Sequence, residues 1–218
     1  MPTFITHSVV AGTSIGVLSS GRITKKFWLL SIVCSVLPDA DVLGYHFFYI
    51  PYDNFFGHRG FFHSPFFAAW VSILTVGLFF RDEKTTRINR WKFLLYFFLL
   101  TTSHGLLDAM TNGGRGVALL SPFTNNRYFF PWTPIEVSPL GAKALFSEHG
   151  LSVLKSEMLW IWTTSIIIVL FSKITRKIMG KSSQKGPVKS HNPDGFVIKF
   201  EIKAFKSREM RNTYRTSK

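Results

Sequence analysis

The sequence is almost devoid of cysteine. Cys34 is the one thiol in 218 residues, so no internal disulfide can form and a metal site built on several thiolates is excluded. Lying in an apolar stretch, Cys34 reads as a small buried hydrophobe. Acidic residues are also scarce, 12 Asp and Glu against 26 Lys and Arg. Met1-Pro2-Thr3-Phe4-Ile5-Thr6-His7 lacks the basic segment that precedes the apolar core of a cleavable leader. Insertion into a membrane is therefore expected to rely on the chain's own helices. Charged residues make up only 17% of the chain, yet the net charge is +14. The basic residues must therefore be clustered, and where they cluster carries information.

Aromatic and aliphatic residues are abundant. Hydrophobic residues reach 46%, with 23 Phe and 6 Trp, a load that suits bilayer-facing helices and interfacial belts. Five apolar segments stand out: 4–20, 27–37, 61–80, 93–110 and 158–171. A span needs roughly 17–25 residues. The third segment meets that length and contains no Lys, Arg, Asp or Glu. The fourth and fifth come close. The first and second are short, and read as slanted helices or a helical hairpin within a bundle. Ala11, Gly12, Ser14 and Gly16 in the first let helices approach closely. Pro38 is expected to end the second.

The expected fold is all-α: a polytopic membrane helical bundle of about five helices with a basic C-terminal tail. Residues 1–178 form the membrane-embedded domain and 179–218 the tail. A soluble helical protein with very apolar core helices is the alternative, and the lack of amphipathic patterning in the third segment argues against it. Basic residues cluster at Arg22, Lys25 and Lys26, again at Arg81, Lys84, Arg87, Arg90 and Lys92, and from Lys173 to Lys218, which holds 13 of the 26. The positive-inside rule makes all three regions cytoplasmic, and five spans satisfy them together. Met1 and the stretches 38–60 and 111–156 then face outward.

Residues 180–195 read as a linker rich in Gly, Ser, Lys and Pro. Phe196, Ile198, Phe200 and Ile202 alternate with Lys199, Glu201 and Lys203 at strand period. A basic tail drawn to anionic lipid accounts for this region. No nucleic-acid-reading motif is present, and no nucleic acid is expected as a partner.

Ionisable residues at the edges of membrane helices are costly and usually functional. Here His7 begins segment one, Asp39 and Asp41 follow Pro38, His58 and His63 flank the start of segment three, and His104 and Asp108 lie in the last turns of segment four. His104 and Asp108, four apart on a helix, point from one face. Asp39 and Asp41, two apart, share a side if the segment is extended. Gly60 supplies the bend that turns His58 and His63 toward one centre. With five spans, all these residues fall on one outer layer. Four imidazoles and three carboxylates without a thiolate suit zinc, with manganese or iron as alternatives. Seven donors are enough for one ion or two. Taken singly, each residue also has an ordinary structural reading, as a hydrogen-bonded core histidine or a turn-closing aspartate.

Thr6-His7, Pro38-Asp39-Ala40-Asp41, His58-Arg59-Gly60-Phe61-Phe62-His63-Ser64 and Ser103-His104-Gly105-Leu106-Leu107-Asp108 together resemble the YdjM-like membrane-bound metal-dependent hydrolases of bacteria, some of them described as LexA-regulated inner-membrane proteins. Ser121-Pro122-Phe123, Arg127-Tyr128 and Pro131-Trp132 are similar too. The resemblance covers roughly residues 1–172. Phe62 departs from a pattern that often carries Thr before the second His. The family is thought related to zinc-dependent phospholipase C enzymes, so the resemblance implies a reaction class without a substrate.

The expected function is hydrolysis of a phosphoester or ester, lipid-linked or small, by a metal-dependent enzyme of the bacterial inner membrane, multi-pass with a cytoplasmic C-terminus. His7, Asp39, Asp41, His58, His63, His104 and Asp108 are the candidate ligands. Asp39 and Arg59 are the candidate catalytic residues, the guanidinium forking onto a phosphate. Arg127 has the same potential, with an interfacial arginine as the plain alternative. Glu136 is a candidate further ligand or base, and Glu148 and His149 are weaker ones. Membrane lipid is the expected partner, and the sequence leaves the oligomeric state open. A non-catalytic metal-binding membrane protein or transporter is the competing reading.

Overall fold

A computed structural model describes residues 1–18, 23–81, 87–139 and 146–182. The basic tail from 183 onward, including the strand-like stretch at 196–205, and Lys84 lie outside the described residues. Within them the chain is helical, and its β pairing is limited to isolated bridges, Thr111 with Ile135 and Val117 with Tyr128.

Five helical rods correspond to the five apolar segments. The first is α1 (Phe4–Leu18). The second runs through α2 (Lys25–Val36), a 3-10 turn (Leu37–Ala40) and α3 (Asp41–Phe48). The third is α4 (Pro65–Phe79), preceded by a 3-10 turn at Phe61–His63. The fourth is α5 (Arg87–Ala109). The fifth comprises α6 (Glu148–Glu157), a π-turn (Met158–Trp162) and α7 (Thr163–Ser182). Lys25–Phe48 and Glu148–Met179 are each long and apolar enough to cross a bilayer, whereas Phe4–Leu18 and Pro65–Phe79 are shorter apolar helices.

Pro38 does not end the second rod. It occupies the first turn of the 3-10 segment, where its missing N–H would have no partner in any case. Asp39 and Asp41 are therefore helical, about two-thirds of a turn apart, and not on a shared side of an extended strand. Segment three begins its helix later than its apolar run, because Ser64 caps the first turn by accepting from Phe67 N, and Pro65 stands at the first helical position.

The core sits where α5 packs on α4 and α2, and α1 joins through α2 and α7. Phe93, Tyr96, Phe97, Leu100, Thr101, His104 and Asp108 are the buried face of α5, recurring at helical spacing. Phe27, Ala11, Ile15, Cys34, Val71 and Val76 close around them. The outward faces are apolar as well: Leu29 and Val33 on α2, Trp70, Ile73 and Leu78 on α4, and Ile166, Ile167, Leu170, Phe171 and Ile174 on α7 are exposed. Exposed apolar surface on this scale needs a cover, and a bilayer supplies one. The polar face of α5 is thus reserved for one end of the bundle.

Candidate metal centre

Each rod except the fifth delivers a donor to that end. His7 lies in the first turns of α1, Asp39 in the 3-10 turn after α2, Asp41 at the start of α3, His63 in the 3-10 turn before α4, and His104 and Asp108 in the last turns of α5. The approach of α5 to the His63 turn is close enough that Gly105 leaves no room for a side chain: a Cβ there would collide with the His63 carbonyl oxygen. That packing places His104 against His63.

Asp39, His63, His104 and Asp108 form one group, with donor atoms all within 4.8 Å of one another. His104 Nε2 lies 3.2 Å from His63 Nε2 and 3.3 Å from Asp39 Oδ1. His63 Nε2 lies 3.2 Å from Asp108 Oδ2 and 3.8 Å from Asp39 Oδ1. His7 joins from the side, its ring stacked on His104 at 3.7 Å and its Nε2 3.6 Å from Asp108 Oδ1. The tautomer of His104 follows from its partner. Nδ1 is 2.7 Å from the Ser35 carbonyl oxygen, which can only accept, so Nδ1 carries a proton and Nε2 is the nitrogen turned to the cluster.

Buried polar groups are nearly always hydrogen-bonded, yet here His7 Nε2 and both carboxylate oxygens of Asp39 and of Asp108 have no hydrogen-bond partner among the described residues. Among them, Asp39 Oδ1 lies beside the His104 and His63 Nε2 atoms, Asp108 Oδ2 beside His63 Nε2, and Asp108 Oδ1 beside His7 Nε2. Two imidazole nitrogens approaching nose to nose, beside two desolvated carboxylates, fit a divalent cation of the kind nitrogen and oxygen donors hold.

Asp41, His58 and His63 form a second group that shares His63. Here the carboxylate is already engaged. Asp41 Oδ1 is 2.7 Å from His58 Nδ1, and Oδ2 accepts from Arg59 N at 3.0 Å and lies 3.1 Å from His63 Nδ1. A carboxylate behind the far nitrogen of an imidazole fixes its tautomer and orientation and raises its basicity. Asp41 thus stands behind His63, and His58 on its other oxygen. Burial alone would lower the His63 pKa, but the charge of Asp41 and the contacts with Asp108 and Asp39 raise it well above its ordinary value. The same field that holds a proton there attracts a metal cation.

Arg59 departs from its expected role. Its side chain is 1% exposed. Nη1 donates to the Gly113 carbonyl at 2.9 Å, Nη2 to Thr111 Oγ1 at 2.9 Å, and Nε lies 3.3 Å from Asp108 Oδ2. The guanidinium is spent on orienting Asp108 and pinning the 111–114 loop, so no fork is left for a phosphate. The bend between His58 and His63 is also made at Arg59, whose φ of 61° lies in the left-handed region, an uncommon conformation for a bulky residue. Gly60 serves a different need, since a Cβ there would strike the Phe55 and Gly57 carbonyls.

Arg127 donates to the His58 and Tyr52 carbonyls at 2.8 and 2.7 Å and lies over the Tyr52 ring. Partial burial lowers its pKa from the ordinary guanidinium value. It braces the 52–58 loop. Glu136, Glu148 and His149 lie outside both donor groups; Glu148 and His149 are exposed, and His149 Nε2 faces the Val137 carbonyl. From the outward stretch 111–156, Thr111 and Gly113 accept hydrogen bonds from Arg59, and Arg127 donates to the His58 carbonyl. Ser35 and Thr111 serve the site through hydrogen bonds and carry no signal of their own in the sequence.

Comparison with known proteins gives two findings. A family model described as YdjM inner membrane protein matches residues 1–181. The chain is 39% identical over 170 residues to Inner membrane protein YbcI of Escherichia coli (strain K12), covering 78% of this chain and 95% of that protein. No solved structure matches.

Proposed function

We propose, from the premise that this chain belongs to the YdjM inner membrane protein family, that it is a multi-pass inner-membrane enzyme, a metal-dependent hydrolase of phosphoesters or esters, acting on lipid-linked substrates at the non-cytoplasmic face with its C-terminus in the cytoplasm. The observation that carries this reading is the buried group of Asp39, His63, His104 and Asp108, whose donor atoms all lie within 4.8 Å of one another, with the His7 ring stacked on His104 beside it. Three carboxylates (Asp39, Asp41 and Asp108) against one guanidinium (Arg59) leave two negative charges among the side chains of the cluster. One divalent cation, zinc in the first instance, balances that charge.

When bound, such an ion supplies Lewis acidity and an activated water. The chain's own residues supply the rest. His7, Asp39, His63, His104 and Asp108 bind. Asp41 and the Ser35 carbonyl orient the imidazoles, and Arg59 orients Asp108. Asp39 is the ligand whose side chain keeps 10% of its exposure, although both its carboxylate oxygens are buried; substrate and water approach past this residue, and its carboxylate, once reached, accepts a proton.

The test is metal analysis of detergent-purified full-length protein, paired with assays on phosphodiester, phosphomonoester and carboxyl-ester reporters and on a lipid-linked phosphoester. About one divalent ion per chain and turnover of a phosphoester, both lost in His104→Ala, are expected. Bound metal without turnover of any class would leave a metal-binding membrane protein or transporter in place of the enzyme.

A further inference from the structure

The fifth rod gives no donor to the cluster, yet it carries Glu157, a carboxylate with no solvent exposure. Its partners lie at the cap and in the first turn of α1. Oε1 accepts from Thr3 N. Oε2 accepts from Thr3 Oγ1 at 2.7 Å and from Thr6 Oγ1 at 2.6 Å. Trp162, from the same rod, donates from Nε1 to Thr6 Oγ1 at 2.7 Å.

A helix N-terminus leaves N–H groups without intrahelical partners, and a carboxylate near it is favoured by the helix dipole. Capping boxes meet the need within one helix, the glutamate three residues on reaching back to the cap N–H. Here the glutamate comes from another helix. Thr3 takes the cap position, its Oγ1 accepting from Thr6 N at 3.4 Å, and Glu157 receives the Thr3 N–H in trans.

The local geometry explains how two residues of one rod both reach α1. Glu157 and Trp162 are five apart. In an α-helix that spacing overshoots a full turn by about 140°, on nearly opposite faces. Between them runs the π-turn, closed by the Thr163 N–H onto the Met158 carbonyl five residues earlier. An i→i+5 closure stacks residues five apart on one side.

What the clamp grips is next to a ligand. Thr3 and His7 are four apart and so share a face of α1, His7 N donates to the Thr3 carbonyl at 3.3 Å, and Thr6 is the preceding residue. Holding Thr3 and Thr6 fixes both the rotation and the height of α1, and these set where His7 Nε2 meets Asp108. We infer that Glu157, turned inward by the π-turn, is a positioning residue that locks His7 into the cation cluster from the fifth rod. The inference rests on the metal-centre reading for its consequence but on the Glu157–Thr3–Thr6 contacts for its substance.

The test follows both aspects in full-length protein in detergent. In chelator-treated protein, the rate of diethyl pyrocarbonate modification of His7, read by mass spectrometry, rises severalfold in Glu157→Gln while His58 and His63 keep their wild-type rates. Zinc affinity, by chelator competition, falls by about tenfold or more, and by nothing further when Glu157→Gln is placed in a His7→Ala background. Unchanged His7 reactivity, or equal opening of all three histidines, overturns the inference. So does an undiminished zinc effect in the His7→Ala background. If wild-type protein binds no zinc, the metal-centre reading fails, and the chelator-treated His7 rates still decide on the clamp. Should Glu157→Gln not accumulate as folded protein, Trp162→Phe carries the same comparison with a smaller His7-selective rise, and no change there also overturns it.

Discussion

A histidine has two ring nitrogens, and in this cluster they do different things. His104 gives Nδ1–H to the Ser35 carbonyl and His63 turns Nδ1 to Asp41, which leaves both Nε2 atoms for a cation. Asp41 and Asp108 therefore differ in kind although both are buried aspartates. Asp108→Ala removes a donor and is expected to abolish stoichiometric zinc in metal analysis. Asp41→Asn removes the orienting charge behind His63, so zinc stays bound but with affinity lowered about 10–100-fold in chelator competition. Equal losses in the two variants would mean that Asp41 binds directly. The sign of the pH dependence follows from the same chemistry. The imidazoles must be neutral to bind, and the His63 environment holds its proton tightly. Zinc affinity therefore falls as the pH is lowered from about 7.5 to about 5.5, with protons released on binding. At this scale the donors were legible in the sequence, because imidazoles and carboxylates at the ends of apolar segments carry a cost that calls for a reason. Arg59 was not. Whether a guanidinium faces a ligand or a loop carbonyl depends on where residues 111–114 return, and nothing local to Arg59 records that.

The elements were legible as apolar runs but not at their ends or breaks. A proline after an apolar run reads as a stop, yet Pro38 starts the turn that delivers Asp39, so two aspartates expected on one side of a strand reach opposite nitrogens of His63, with His104 as the second neighbour of Asp39 and His58 that of Asp41. The π-turn left no trace either, since Met158-Leu159-Trp160-Ile161-Trp162 is ordinary apolar sequence and its insertion is decided by tertiary contacts with α1. Glycines tell the opposite story. Gly105 sits within the stretch that carries His104 and Asp108, and its role is to let α5 touch the His63 turn. Gly105→Ala would press a Cβ onto a backbone carbonyl that cannot swing away, forcing α5 outward. Overpacking of this kind costs about 1–3 kcal/mol, read as a lower Tm in detergent, and zinc affinity falls with it because His104 and His63 separate. Gly77, with open space around it, provides the control. Gly77→Ala is expected to leave zinc affinity unchanged. A Gly105→Ala protein with wild-type Tm and affinity would show that the helix contact does not set the site.

At the scale of the whole molecule, the bundle is apolar on its outward faces and polar at one end, an arrangement that water would not tolerate and a bilayer requires. The donors come from the start of α1, the 3-10 turn that follows α2 and the first residue of α3, the turn before α4 and the end of α5. Successive rods that bring alternate ends to one level must alternate in direction. The cluster therefore lies on one side of the membrane only if the rods cross it in turn. The charge pattern then chooses the side. Lys25 and Lys26 begin the second rod, Arg87, Arg90 and Lys92 begin α5, and Lys173 and Arg176 lie toward the end of α7, all at the end of the bundle away from the donors. The positive-inside rule leads us to propose that this end is the cytoplasmic one. Reporter fusions at Lys84 and Lys218 are thus expected to read cytoplasmic, and a fusion within the 111–138 stretch to read periplasmic. The short helices sharpen the test. At 15 residues each, α1 and α4 extend only about 22 Å at 1.5 Å per residue, against a hydrocarbon core of about 30 Å. If they failed to cross, the termini and the link at Lys84 would no longer alternate as five spans demand. A periplasmic signal at Lys84 or Lys218 would place the basic clusters on the wrong side and take the non-cytoplasmic site with it.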